Sequence, residues 1–202
     1  MAVYKLNTPI SEEDVRKLKV NDVIFITGIM VTARDSAHKR ALGFFKEGKS
    51  LPIDLQGSAV FHCGPIVRKE GDKWTVVAAG PTTSTRMDIF EDEFIKAFKV
   101  RVIIGKGGMG KRTTDGMKKY GAVYGAFTGG AAVLAAKAIK NVRGVEWFDL
   151  GMPEALWILD VEEFGPLIVA IDTHGNNLFE EVQKKTEENR QKIYDKIGIS
   201  TK

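Results

Sequence analysis

The amino-acid sequence predicts an α/β fold, a mixed sheet with flanking helices in which at least some strands run parallel. Three observations carry that expectation. Short apolar runs rich in β-branched residues recur along the chain, as in VIFITGIM at residues 23–30. Between them lie segments with apolar residues at helical spacing, such as 35–46 with Ala37, Ala41, Leu42 and Phe45. Glycine or proline punctuates many of the joints. Strands that alternate with helices favour crossover connections, and those make parallel sheets.

The elements follow in order. Ser11, Glu12, Glu13 and Asp14 resemble a capping box and start a short helix reaching about Leu18. Residues 23–30 form a buried strand. Residues 35–46 form a helix that Gly48 stops. Residues 59–62 and 74–79 are two further strands, with a turn at 69–72 between them. Residues 80–88 lead into a helix with Ile89, Phe94, Ile95 and Phe98 as its apolar positions. Then come a strand at 100–104, a glycine loop at 105–108, a short helix at 114–120 and a strand at 122–126. An alanine-rich helix spans 130–139, and 145–148, 156–161 and 167–171 supply the last strands. The polar tail at 177–197, with a Phe179, Val182 and Ile193 stripe, predicts a terminal helix. No linker, repeat or low-complexity tract divides the chain, so residues 1–202 are expected to form a single domain.

Composition narrows the function. With 44% hydrophobic and 28% charged residues, the chain reads as globular and has enough apolar material for a core. A net charge of +4 without clustered basic runs gives no reason to expect nucleic acid, yet it suits an anionic ligand. No apolar window is long enough to span a membrane, and the start has no secretory pattern, so the expected location is cytoplasmic. The chain has one cysteine, Cys63, which excludes an intrachain disulfide and a complete thiolate metal site. Cys63 lies in an apolar context that fits a buried, inert thiol. His62 and His174 show no ligand set in sequence, so no metal is assigned.

Three loops at the ends of expected strands carry candidate chemistry. In GPTTSTRMD at residues 80–88, a glycine-proline corner precedes four hydroxyl residues and Arg86. Free N–H groups at a helix start favour an anion, and arginine matches a carboxylate with a two-toothed fork. The same pattern also fits an ordinary Ser/Thr cap. The second loop, residues 105–111, offers Lys106 among glycines. Gly105, Gly110 and Lys111 have P-loop spacing, but Arg112 stands where the magnesium-binding hydroxyl belongs. The third, TARDSAHKR at 32–40, offers Arg34, with Asp35 as an N-cap and His38 read as a surface residue one turn later. Ligand sites in open α/β sheets collect at the carboxyl ends of strands, so the three loops are expected to converge. Glu154, in the run MPEA, fits structure as well as function.

The runs TARDSAHKR, GPTTSTRMD, IGKGGM, YGAVYGAFTGGAA and GMPEALW, in that order, resemble the beta subunit of class I fumarate hydratases and the related L(+)-tartrate dehydratases. The resemblance covers roughly residues 10–172. It implies a swivelling β/β/α fold and an alpha-subunit partner (or N-terminal domain) that carries a [4Fe-4S] cluster on three cysteines. On this resemblance Arg34, Arg86 and Lys106 bind the carboxylates of a small dicarboxylate. Thr82 and Thr83 lie beside the carbon that exchanges a proton, with Thr82 as the base. Relatives often have smaller residues at Ser84 and Thr85, which points to pocket size and substrate choice. The implied activity is a hydro-lyase interconverting fumarate and (S)-malate, inactive without its alpha subunit. L(+)-tartrate dehydration is the alternative, and a nucleotide-binding module using residues 105–111 is a third reading. The isolated chain is also compatible with a homodimer.

Overall fold

The computed structural model describes residues 1–197. Nine strands and six helices alternate in part: β1 (Val3–Asn7), α1 (Glu12–Arg16), β2 (Val23–Thr32), α2 (Asp35–Lys46), β3 (Ala59–Phe61), β4 (Ile66–Glu70), β5 (Lys73–Ala78), α3 (Asp88–Phe98), β6 (Val102–Gly105), α4 (Lys111–Tyr120), β7 (Val123–Ala126), α5 (Ala132–Ala138), β8 (Ile139–Glu146), β9 (Leu156–Ile171) and α6 (Leu178–Ile197). Among the described residues the main sheet has seven strands in the order β1-β2-β3-β6-β7-β9-β8. It is mixed. β1, β2, β3, β6 and β7 run parallel, while β9 is antiparallel to β7, β8 and β2. Because β9 pairs with both β7 and β2, the strands β2-β3-β6-β7-β9 close into a ring.

The alternation of side chains along the central strands divides the core. Ala59, Phe61, Val102, Ile104 and Val123 point to one side, where they meet Ile24, Ile26, Met30, Trp157 and Phe164. Val60, Ile103 and Tyr124 point to the other, beneath α2, α3 and α4, where Ala37, Ala41, Phe94, Ile95 and Met117 pack. This is the period-2 consequence of the pleat, and burial on both faces is why these parallel strands read as unbroken apolar runs.

The structure changes several sequence expectations. β1 is short and mostly solvent-facing, and so carries no apolar run. β4 pairs with β5 as a hairpin whose residues are largely exposed. Helix α5 ends at Ala138, and the chain continues directly as β8 where a strand was expected only from 145. Residues 156–161 and 167–171 belong to one long strand, β9, interrupted by a left-handed Glu163 and register shifts against β2. Ile89 is 63% exposed, so the buried row of α3 is Met87, Glu91, Phe94 and Ile95. On α6 Leu178 and Phe179 pack against the core, whereas Val182 and Ile193 are exposed. Ser11 does cap α1, accepting the Asp14 N–H at 3.1 Å. No described helix is long and apolar enough to cross a membrane.

Candidate functional site

Parallel pairing brings the carboxyl ends of β2, β3 and β6 to one edge of the sheet. The ladder continues beyond the strands. The Ala33 N–H donates to Phe61 O, and the His62 N–H to Ile104 O. Residues 81–84 then lie between the extended ends of β3 and β6. The Thr82 N–H donates to His62 O at 2.6 Å, Lys106 N–H to Thr82 O at 3.2 Å and Ser84 N–H to Lys106 O at 2.9 Å. The GPTTSTR run is therefore an extra strand segment locked by main-chain bonds, followed by a single 3₁₀ turn at Ser84–Arg86. Thr82 is half-buried, while Thr83 and Lys106 are exposed and bridge each other in parallel. The three loops converge at this edge.

Each candidate arginine is held by a carboxylate of this chain. Arg86 donates through Nε and Nη2 to both oxygens of Asp35, at 3.2 and 2.8 Å. Asp35 is thus not the helix cap expected of it; it is the first residue of α2 and anchors the arginine. The burial of Asp35 opposes ionisation, but the Arg86 bond, its own backbone N–H and the charges of Arg86 and Arg34 together outweigh it, and the carboxyl titrates below its ordinary range. Arg86 uses its Nε–Nη2 edge here, so Nη1 stays outside this pair. Arg34 Nε lies 3.2 Å from Glu154 Oε1, and Glu154 Oε2 accepts the Ser36 N–H at the start of α2. Glu154 thus has a positioning contact on Arg34. A Cβ added to Gly64 would come within 2.7 Å of Arg34 Nη1 and 2.9 Å of the Pro153 main chain, so this close approach needs a glycine. Among the described residues Lys106 has no ion pair.

Behind the loops lies a buried polar chain that the sequence did not reveal. His38 is fully buried, which corrects its reading as a surface residue. Its Nδ1 donates to Arg34 O at 2.8 Å, and its Nε2 lies 3.5 Å from Glu91 Oε2. His62 Nε2 approaches the same oxygen at 3.1 Å, and His62 Nδ1 is 2.9 Å from Ser84 Oγ. The Tyr124 hydroxyl lies 3.0 Å from both Ser84 Oγ and Gly107 O, with one proton to serve the two acceptors. Burial works against charge on both histidines. For His38 the Glu91 carboxylate, the Arg34 carbonyl and Asp35 together outweigh that burial and raise the pKa; for His62 burial prevails and lowers it. Geometry agrees, because Nδ1–H of His38 is fixed by a carbonyl and a bare Nε2 would face a carboxylate. Ser84 points inward to this chain, which corrects its expected part in pocket size; Thr85 donates outward to Gly108 O. The clue to Glu91 was its place in the otherwise apolar row of α3.

The β6–loop–α4 unit has the outline of a P-loop but not its vacancy. Asp88 takes the anion position at the start of α4, accepting the Gly110 N–H at 2.9 Å and the Thr113 hydroxyl at 2.6 Å. Lys111 turns to Asp115 on the exposed face. A phosphate would have to displace Asp88, so the nucleotide reading fails on these residues.

As metal ligands, the described residues bring together His38, His62 and Glu91, all buried. Cys63 is fully buried, and burial pushes its thiol up to about 12, so this chain has no thiolate set for an iron-sulfur cluster. Gly105 closes the site from below: an added Cβ would sit 2.0 Å from Ser84 Oγ. Gly105→Ala is therefore expected to lower stability by about 1–3 kcal/mol through overpacking. Thermal unfolding of the purified chain measures this, and an unchanged midpoint would contradict the contact.

The α/β sheet thus gathers two carboxylate-braced arginines, a lysine and adjacent hydroxyls at one edge. The Fumarase C-terminus family model matches residues 2–182, and the chain belongs to that family. It is 50% identical to the L(+)-tartrate dehydratase subunit beta of Escherichia coli (strain K12) over 192 residues, 95% of this chain and 94% of the relative. A putative L(+)-tartrate dehydratase subunit beta of Methanocaldococcus jannaschii is 47% identical, with 94% and 96% of the two chains covered. A putative fumarate hydratase class I of Geobacillus stearothermophilus is 43% identical over 91% of this chain but only 35% of its own length.

Proposed function

We propose that this chain is the beta subunit of a hydro-lyase that interconverts fumarate and (S)-malate, and that it acts only with an alpha subunit. The observation that carries the reading is the meeting of Thr82, Arg34, Arg86 and Lys106 on three adjoining strand ends. Two carboxylates need cations at two separated points, and a C4 diacid supplies them. Arg86 and Arg34 have open N–H edges, and Lys106 adds a mobile point charge. In the dehydration direction, Thr82 takes the proton from the carbon next to a carboxylate while hydroxide leaves the neighbouring carbon. A threonine hydroxyl is a weak base at its free pKa; the surrounding cations favour its ionised form.

In this reading the [4Fe-4S] cluster sits on the alpha subunit, since Cys63 offers this chain no ligand set. A second substrate has specific support: the 50% and 47% identical relatives are named for L(+)-tartrate. The test is anaerobic reconstitution with an alpha subunit, iron and sulfide, followed by assays on fumarate, (S)-malate and L(+)-tartrate. Turnover of fumarate and (S)-malate is the expected result. Activity on tartrate alone would move the assignment to the second reading, and a cluster-loaded pair inert toward all three would refute both.

A further inference from the structure

The family assignment does not explain why a fully buried carboxylate stands between two fully buried histidines. Glu91 has neither oxygen in an aligned hydrogen bond; its compensation is ionic, from His38 and His62. Buried ion pairs contribute little net stability compared with a well-packed apolar replacement, so stability alone is a poor reason for the arrangement. Its location is more informative. One end reaches the Arg34 carbonyl, the middle reaches Ser84 between Thr83 and Thr85, and the far end reaches Gly107 O beside Lys106. All three ligand-bearing loops are tied to one polar chain that lies under the site and touches no solvent.

We propose that Glu91, clamped between His38 and His62, is a positioning residue that fixes the Arg34 turn and the Thr82–Arg86 segment at the separation a C4 diacid requires. The inference rests on the hydro-lyase reading above and names a residue that reading leaves without a role. On the surface, main-chain bonds tie residues 82–84 to His62 and Lys106, and the Asp35–Arg86 pair ties the α2 start to the 3₁₀ turn. Glu91 adds the buried restraint beneath them, because α3 presents one carboxylate oxygen to both His38 and His62. Ser84 and Tyr124 extend the restraint to the lysine loop. Besides the two histidines, the charged group that acts on the cluster is Asp35, already paired with Arg86. Displacement of a catalytic group by about 1 Å can weaken catalysis about 10²-fold.

The test uses the reconstituted two-subunit enzyme. Glu91→Gln keeps the shape and removes the charge. Its kcat/KM on the accepted diacid is expected to fall about 30-fold or more, with KM rising more than kcat falls, since two arginines move. Imidazole ¹⁵N spectra of the full-length chain, followed through a pH titration, should show His38 losing its second proton at a higher pH in the wild type than in the variant. Tyr124→Phe, nearly isosteric, cuts the far end of the chain; it is expected to raise KM several-fold and serves if Glu91→Gln does not fold. Variants that match an active wild type within twofold in both constants would overturn the inference alone. A wild-type complex inert toward every diacid would remove the hydro-lyase reading and the inference with it. One equivalent of zinc or iron in the wild-type chain, lost in Glu91→Gln, would also overturn it, because the cluster would then be a metal centre.

Discussion

Thr82→Val is expected to reduce kcat of the reconstituted enzyme by about 10²- to 10⁴-fold, the range for loss of a positioned general base. The substitution keeps the branched shape and deletes the hydroxyl. The main chain of Thr82 is bonded on both sides, to His62 O and by Lys106 N–H, so the backbone should stay where it is. KM should change little, since the carboxylate contacts belong to other residues. Steady-state kinetics on the accepted diacid checks this, with circular dichroism of the isolated chain as the folding control. A variant with kcat within threefold of wild type would exclude Thr82 as the base and turn attention to Thr83, which is more exposed and bridges Lys106.

Arg86→Ala is the second large effect, expected at about 10²-fold or more in kcat/KM. A charged hydrogen bond contributes about 1.5–3 kcal/mol, close to one or two powers of ten. A further penalty arises because Asp35 loses its partner, and a free carboxylate then faces the incoming diacid. Arg86→Lys should recover little, since a single ammonium cannot hold both oxygens of Asp35 and also present an edge to the ligand. Arg86 is about half exposed, with 47% side-chain exposure, so neither substitution should unfold the chain. Full activity in Arg86→Ala would remove this residue from the site.

The parts of the fold that were legible were those whose local pattern and tertiary burial agree. β2, β3, β6 and β7 are apolar because both faces are covered, and the sequence announces that directly. β1 and β4 carry polar residues toward solvent, and residues 139–146 follow an alanine-rich helix without any breaker, so no local signal separates strand from helix there. The site divides in the same way. Arg34, Thr82, Arg86 and Lys106 sit on strand-end loops, which drew attention to them, while their individual roles came from the family resemblance. His38, Glu91, Ser84 and Tyr124 come from four distant segments and meet only after the sheet has formed. Glu91 was visible only as a charge out of place in a helix row. Asp35 and Glu154 were misread or left open because a carboxylate at a helix start looks like a cap whether or not it braces an arginine.

The bracing of both arginines by Asp35 and Glu154 has a consequence for selectivity. Under the proposed function these cations are already paired within the chain, so they do not act as a general trap for anions. Chloride, acetate or phosphate gains little by approaching a guanidinium whose charge is spoken for. A diacid of the right length gains from two open edges and the lysine at once. In that reading ligand choice at this edge depends on span as well as charge, and salt should weaken binding chiefly through the exposed Lys106.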